Sequence, residues 1–167
     1  MKVTIQDNPV QLRPITDDDL EVLSRIYAST REEEMKRVPD WSAAQVKAFL
    51  EQQFRAQHEY YQKNYLGANF RVIEQEGQVI GRLYVQKDFM NREVRIIDVT
   101  LLPPWRNRGI GSALLETVKQ EAARLHRPLT IHVESYNPAK QLYERLGFKK
   151  VSETNGVYHL MEWQPSA

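Results

Sequence analysis

The chain has 167 residues, a formal net charge of +1 and no cysteine. That length suits one hydrophobic core, and the near-neutral charge gives no electrostatic case for nucleic acid or an anionic membrane surface. The lack of thiols excludes a disulfide framework, a Cys-ligated zinc and a thiol nucleophile. Hydrophobic residues make up 41% of the chain, as in a soluble globular protein. No apolar run is long enough to span a bilayer. Met1 to Pro9 is polar and has no apolar signal core, so a cytoplasmic location is expected.

Val10 to Pro14 alternates apolar and polar residues and predicts a first strand. Thr16 with Asp19 makes a capping-box start. Leu20, Leu23, Ile26 and Tyr27 then recur at helical spacing, giving a helix through Ser29 that extends toward Lys36. Glu32, Glu33 and Glu34 read as a solvated face; the other reading points Glu33 into a cleft to meet a cationic amine. Val38-Pro39-Asp40-Trp41 breaks the helix. Ser42 with Gln45 is a second capping box, opening a long helix from Ala43 to Tyr65. Its aromatic-rich second half, with Tyr60, Tyr61, Tyr65 and His58, reads first as packing. The four histidines lack metal-ligand spacing, so no metal site is expected.

Ala68 to Glu74, Gln78 to Lys87 and Glu93 to Leu101 predict three strands on short turns, an antiparallel meander. The last of them feeds the most informative stretch of the chain, Asp98 to Ser112, read as D-V-T-L-L-P-P-W-R-N-R-G-I-G-S. Pro103-Pro104 ends the strand. A basic glycine turn follows, and a helix from Asn107 to His126 carries Ala113, Leu114, Val118 and Ala122 on one stripe. Glycines at a helix start, with free N–H groups and the positive end of the helix dipole, suit a phosphate or pyrophosphate. No G-K-S/T follows, so this is not a Walker A loop. The dinucleotide fingerprint would need a third glycine where Leu114 stands. The plain alternative is a helix cap with two solvated arginines.

Pro128 to Glu134 predicts a strand parallel to Glu93–Leu101 through a right-handed crossover. A short helix with Ala139, Leu142, Tyr143 and Leu146 on one face ends at Gly147, where a left-handed C-cap belongs. Phe148 to Glu153 and Val157 to Trp163 flank Asn155-Gly156 as a terminal hairpin, and Gln164 to Ala167 is a frayed tail.

Two motifs now combine. The turn R-x-x-G-x-G (Arg106 to Gly111) resembles the coenzyme-A loop of the GNAT acetyltransferase superfamily, Q/R-x-x-G-x-G/A. Asn137 to Phe148, N-P-A-K-Q-L-Y-E-R-L-G-F, is similar to its second signature, N-x-x-A-x-x-L-Y-x-x-x-G-F. The element order β-α-α-β-β-β-α-β-α-β-β resembles that superfamily along nearly the whole chain, most strongly from Glu93 to Phe148. The resemblance implies a mixed α/β fold of the GNAT type. Its central, mostly antiparallel sheet has about seven strands, flanked by about four helices. One domain is expected over 1–167, with 1–67 forming the first strand and acceptor helices, 68–134 the sheet core and coenzyme-A loop, and 135–167 the second motif and hairpin.

The resemblance also implies acetyl-CoA as cosubstrate and an amine acceptor, small-molecule or peptide, in a monomer or homodimer, with no metal, nucleic acid or membrane partner. Arg106, Asn107, Arg108, Gly109, Ile110, Gly111 and Ser112 would bind the pyrophosphate. Val99, Thr100 and Leu101 would pair with the pantetheine arm, in a slot where Glu93–Leu101 splays from Pro128–Glu134. Tyr143 would be the general acid, its alternative a core aromatic. Asn137 stands six residues before Tyr143, where the family has seven, so it either contacts the cofactor or caps the helix. Asp98 and Glu134 are candidate bases; the alternative for Asp98 is a pair with Arg95 or Arg127. Glu33 and Trp41 are candidate acceptor contacts, Trp41 through a cation–π face. A non-catalytic acyl-CoA-binding module is the competing function.

Overall fold

The strands assemble a single sheet in the computed structural model, which describes residues 2–5, 8–38 and 40–166, and the central strands β4 and β5 are buried in continuous runs. Its eight strands are β1 (Lys2–Ile5), β2 (Asn8–Pro14), β3 (Asn69–Gln75), β4 (Gln78–Phe89), β5 (Glu93–Leu101), β6 (Leu129–Glu134), β7 (Lys149–Thr154) and β8 (Tyr158–Trp163). The helices are α1 (Leu20–Ser29), α2 (Glu32–Met35), α3 (Ala43–Asn64), α4 (Ile110–Arg124) and α5 (Ala139–Arg145). The strand order is β1-β2-β3-β4-β5-β6-β8-β7. Every neighbouring pair is antiparallel except β5 and β6, which run parallel and are joined through α4.

The seven strands read from the sequence are all present, and β1 adds an edge strand to them, paired with β2 through Val3↔Val10. The N-terminal helical region is more divided than its periodicity suggests. Thr16 donates its N–H to Asp19 Oδ2 at 2.8 Å, the expected cap, but Asp17–Asp19 forms a 3-10 turn before α1 begins. The helix then stops at Ser29 instead of reaching Lys36. Ser29 Oγ donates to the Ile26 carbonyl and Thr30 Oγ1 to the Tyr27 carbonyl, both at 2.7 Å. Such back-bonding competes with the helical ladder, and α2 restarts as a separate turn. Of the expected break at 38–41, Pro39 lies outside the described residues, as does Ala167 of the tail. At α3 the second capping box forms in full: Gln45 donates its N–H to Ser42 Oγ, and Ser42 its N–H to Gln45 Oε1.

Each sheet face buries its own cluster. Ile110, Leu114, Leu115 and Val118 of α4 pack on Leu83, Val94, Ile96 and Ile131, with Tyr143 of α5 and Phe148 alongside. On the opposite face Leu23, Ile26 and Tyr27 of α1 meet Leu50 and Phe54 of α3 over Val72. Each such aliphatic side chain contributes about 1.5–3 kcal/mol on burial. Among the described residues no helix is long and apolar enough to cross a membrane.

Gly81 joins this frame to the site. It pairs with Leu101 at the end of β5, and a Cβ placed on it would lie 2.3 Å from the Thr100 carbonyl oxygen. The two backbones approach too closely for any side chain. Gly81→Ala is therefore expected to lower stability by about 1–3 kcal/mol, read as a lower urea midpoint at unchanged m-value. An unshifted midpoint would mean that β5 moves aside without strain.

Candidate active site

The site begins where the only parallel pair among the described strands comes apart. β5 and β6 pair at Val94↔Leu129, Arg95↔Thr130 and Ile96↔Ile131, and no further. β5 continues along β4 to Leu101, while β6 continues along β8 to Glu134. The ladder shows why. Tyr84 faces Asp98 but the next residue, Val85, faces Ile96, which leaves Ile97 as an extra residue in β5. A bulge of this kind bends the strand that carries it. Val99, Thr100 and Leu101 thus keep β4 on one side and have no β6 partner on the other.

The glycine turn stands at the open end of this slot. A 3-10 turn over Pro103–Trp105 is followed by Asn107 at φ 61° and Gly109 at φ 82°, both left-handed. Those conformations delay α4 to Ile110, three residues later than the sequence suggests. The N–H groups of Gly109, Ile110, Gly111 and Ser112 have no hydrogen-bond partner among the described residues, as the first turn of a helix requires. The two glycines differ in purpose. Gly109 is needed for its backbone conformation, whereas a Cβ on Gly111 would make ordinary contact with Leu101 Cδ1 at 3.9 Å. The arginines differ too. Arg106 donates from Nε to the Leu101 carbonyl at 2.8 Å and from Nη2 to Ser29 Oγ at 3.2 Å, so it fastens the turn to β5 and α1. Arg108 is exposed.

On the other side of the slot α5 presents Tyr143. The L-Y-x-x-x-G-F pattern is a helix terminus: Phe148 donates its N–H to the Tyr143 carbonyl and Gly147 to that of Glu144, both at 3.0 Å, with Gly147 at φ 96°. This is the paired Schellman geometry, and the Tyr143 and Phe148 rings meet at 5.8 Å across it. Tyr143 is buried, and its hydroxyl has no hydrogen-bond partner among the described residues. Burial, with the nearby charges of Asp98 and Glu134, pushes the hydroxyl well above the ordinary tyrosine range. It stays protonated at neutral pH.

The two carboxylates are held differently. Asp98 Oδ2 accepts from Arg82 Nη2 at 2.8 Å and from the Tyr61 hydroxyl at 3.3 Å, and Oδ1 accepts from Thr100 Oγ1 at 2.7 Å. Its partner is therefore Arg82 and neither of the arginines named from the sequence. Arg95 is taken up by Thr130 and Glu93, and Arg127 by the Lys87 carbonyl. Glu134 accepts a single hydrogen bond, from Asn137 Nδ2 to Oε2 at 3.0 Å. Asn137 Oδ1 in turn accepts from the Ala139 N–H at 2.9 Å, which ties its amide, one position before the Pro138 N-cap, to the first residue of α5.

The remaining acceptor candidates separate. Glu33 faces solvent and pairs with exposed Lys36 at 3.0 Å. Its neighbour Glu34 is also exposed. It pairs with Arg31 at 2.8 Å, and both lie near enough to Tyr136 that their charges act on its hydroxyl, together with those of Glu134 and Tyr158. Trp41 stacks edge-on against Phe49 at 5.2 Å before α3, and stays 41% exposed. Tyr61 and Tyr65, read first as packing, face the sheet: Tyr61 meets Tyr84 at 5.9 Å and Tyr65 meets Phe89 at 5.9 Å. Sequence reasoning missed Arg82. Its signal was a charged residue in phase with Ile80 and Tyr84, on a strand whose centre is otherwise apolar.

Comparison with known proteins places this geometry. The family model described as an acetyltransferase (GNAT) domain matches residues 67–150. An N-alpha-acetyltransferase of Sulfurisphaera tokodaii is 28% identical over 104 residues, 54% of this chain and 62% of the relative. Another, of Saccharolobus solfataricus, is 33% identical over 70 residues, 40% of this chain and 42% of the relative. The chain thus spans less than two thirds of either relative. The crystal structure of PaiA N-acetyltransferase from Thermoplasma acidophilum, in complex with coenzyme A, superposes with a TM-score of 0.66 at 17% identity over 93% of this chain and 98% of that one. An acetyltransferase from Thermus thermophilus gives 0.66 at 16% over 98% and 99%. At these identities the likeness is one of fold.

Two histidines outside the slot set an acid limit on the protein. Burial, and the Arg82 charge, lower the proton affinity of His58; burial, and Arg95, do the same for His132. The folded chain then binds fewer protons than the unfolded chain as pH falls below about 6.5. Their contribution to stability is present above that pH and is lost below it. The urea midpoint is expected to fall between pH 7.5 and 5.5, with a shallower fall in His58→Gln; identical slopes would remove His58 from the account.

Proposed function

The chain belongs to the GNAT acetyltransferase family, and we propose that it moves an acetyl group from acetyl-CoA to an amine by direct attack in a ternary complex. One observation carries this reading. Beyond Ile96 β5 has no β6 partner, the first N–H groups of α4 are open, and the protonated Tyr143 lies near enough to Asp98 and Glu134 to feel both charges; we read these as the walls of one slot. The turn offers a pyrophosphate backbone donors and the positive end of a helix. Val99 to Leu101 offer strand-like donors and acceptors to an extended amide-bearing arm, and a backbone N–H there polarises the thioester carbonyl. Losing one such donor typically slows a reaction about 100–1000-fold.

Bound acetyl-CoA supplies an activated thioester, so the protein's task is to position and to manage protons. Holding both reactants in line lowers a barrier by about 7–11 kcal/mol in favourable cases. The amine nitrogen forms the amide as the carbon–sulfur bond breaks. Its proton passes to Glu134, whose Oε1 accepts no bond from the protein, and Tyr143 gives its proton to the departing sulfur. Asp98, already accepting three hydrogen bonds, holds structure in place of the base role considered for it. The acceptor enters beside Glu34, Glu134, Tyr136 and Tyr158, a mouth that suits a cationic amine. The relatives named N-alpha-acetyltransferase support a peptide α-amine within that class.

Acetyl-CoA at a hundredfold excess over its dissociation constant is expected to stabilise the fold by about 2.7 kcal/mol, with no shift from NADH or ATP. Tyr143→Phe should keep that shift and lower kcat by about 100-fold or more. In the wild type the rate should not decline through tyrosine ionisation up to pH 10. Stabilisation by acetyl-CoA without turnover on a panel of peptide and small amines would favour a binding module; no stabilisation would remove the slot as a coenzyme-A site.

A further inference from the structure

Arg82 is the largest fully buried side chain among the described residues, with 1% of its surface exposed. Its Nη2 donates both to Asp98 Oδ2 and to Gln57 Oε1, each at 2.8 Å, while Nε and Nη1 have no hydrogen-bond partner among the described residues. Its guanidinium lies 5.0 Å from the centre of the Tyr84 ring. For packing alone an apolar residue would serve this strand better, because a buried ion pair is often no more stable than a hydrophobic replacement. The position of the pair suggests another purpose. Asp98 is the second residue after the last β5–β6 pair, directly beyond the bulge, where β5 begins to form the wall of the slot. From there the wall has no β6 ladder to fix it. Besides its ladder to β4, it is gripped by side chains at two points: Asp98 by Arg82, and the Leu101 carbonyl by Arg106. The same Arg82 and Asp98 also hold α3, through Gln57 and the Tyr61 hydroxyl.

We propose that Arg82 is a positioning residue for acetyl transfer: by gripping Asp98 and Gln57 it locks the unpaired segment of β5 to helix α3, so that the slot wall and the acceptor-side helix form one rigid unit. This rests on the reading of the slot as the acetyl-CoA site. Arg82 touches neither substrate; it acts through Asp98 and the backbone of Val99 to Leu101.

The experiment has an arm that does not depend on turnover. Amide hydrogen exchange of the free protein is compared in wild type, Arg82→Gln and Tyr61→Phe. Arg82→Gln is expected to speed exchange at least tenfold in both 97–101 and 57–65, leaving β2, β3 and α5 unchanged; Tyr61→Phe should give a smaller rise in the same two segments. In the second arm, kcat of Arg82→Gln falls at least tenfold while coenzyme-A affinity stays within threefold, because the turn that holds the pyrophosphate is untouched. Arg82→Lys, which keeps the charge but lacks the fork, regains stability more than kcat. A merely structural arginine would lower stability with kcat per folded molecule unchanged, and that result overturns the proposal. So does unaltered exchange at 97–101 in a folded Arg82→Gln, or in Tyr61→Phe if the arginine variant does not fold. Absent acetyl transfer in the wild type would count against the functional reading, and the exchange arm would still decide the role of Arg82.

Discussion

The structure depends on one parallel strand pair that is allowed to fail. β5 and β6 are neighbours because α4 crosses between them, and a crossover of that length makes them parallel. They share hydrogen bonds over a few residues and then part, one following β4 and the other β8. An unpaired strand edge inside a sheet is costly, since its N–H and C=O groups lose their ladder. The same groups are a binding surface for any extended, amide-bearing ligand. The turn after β5 and the terminus of α5 then have fixed places, because each is attached to one of the diverging strands.

Buried charge follows a similar logic. Arg82 with Asp98, Arg13 with Asp19 and Glu93 with Arg95 are all placed at transitions in the backbone. Arg13 bridges Asp19 and Glu74 where β2 gives way to the first helical turn, and this holds the Asp19 carboxyl below the ordinary range. Arg82 meets Asp98 at the bulge. Breaking a buried pair by removing one partner costs about 3–5 kcal/mol, so these contacts fix geometry even where they add little net stability. Arg106 plays the exposed version of this part. Its guanidinium is engaged by the Leu101 carbonyl and by Ser29, so it fastens the turn to β5 and α1.

The burial and charges around Tyr143 complete the chemistry. A hydroxyl on a buried ring, near the charges of two carboxylates, holds its proton firmly. That suits a group that must be present as an acid at every working pH. Glu134, set at the end of β6 and steadied by Asn137, keeps Oε1 free of hydrogen bonds from the protein.

Much of this was legible in the chain. Strand and helix periodicity placed the elements of the sheet, since burial follows the two-residue and 3.6-residue repeats wherever one face meets the core. The two glycine motifs were legible because each is a local conformational demand: a left-handed residue before α4, and a left-handed residue after α5. Three things were decided only by the tertiary structure. Asp98 takes Arg82 because a bulge, which no local pattern announces, shifts the β4–β5 register. Glu33 pairs with Lys36 and Glu34 with Arg31 because α1 ends at Ser29 and the chain restarts as a separate turn. Asn137 turns to its own helix because the connection from β6 leaves its amide between Glu134 and Ala139. Periodicity and backbone conformation are local properties and can be read residue by residue; register, helix phase and the pairing of distant charges arise only when separate segments meet.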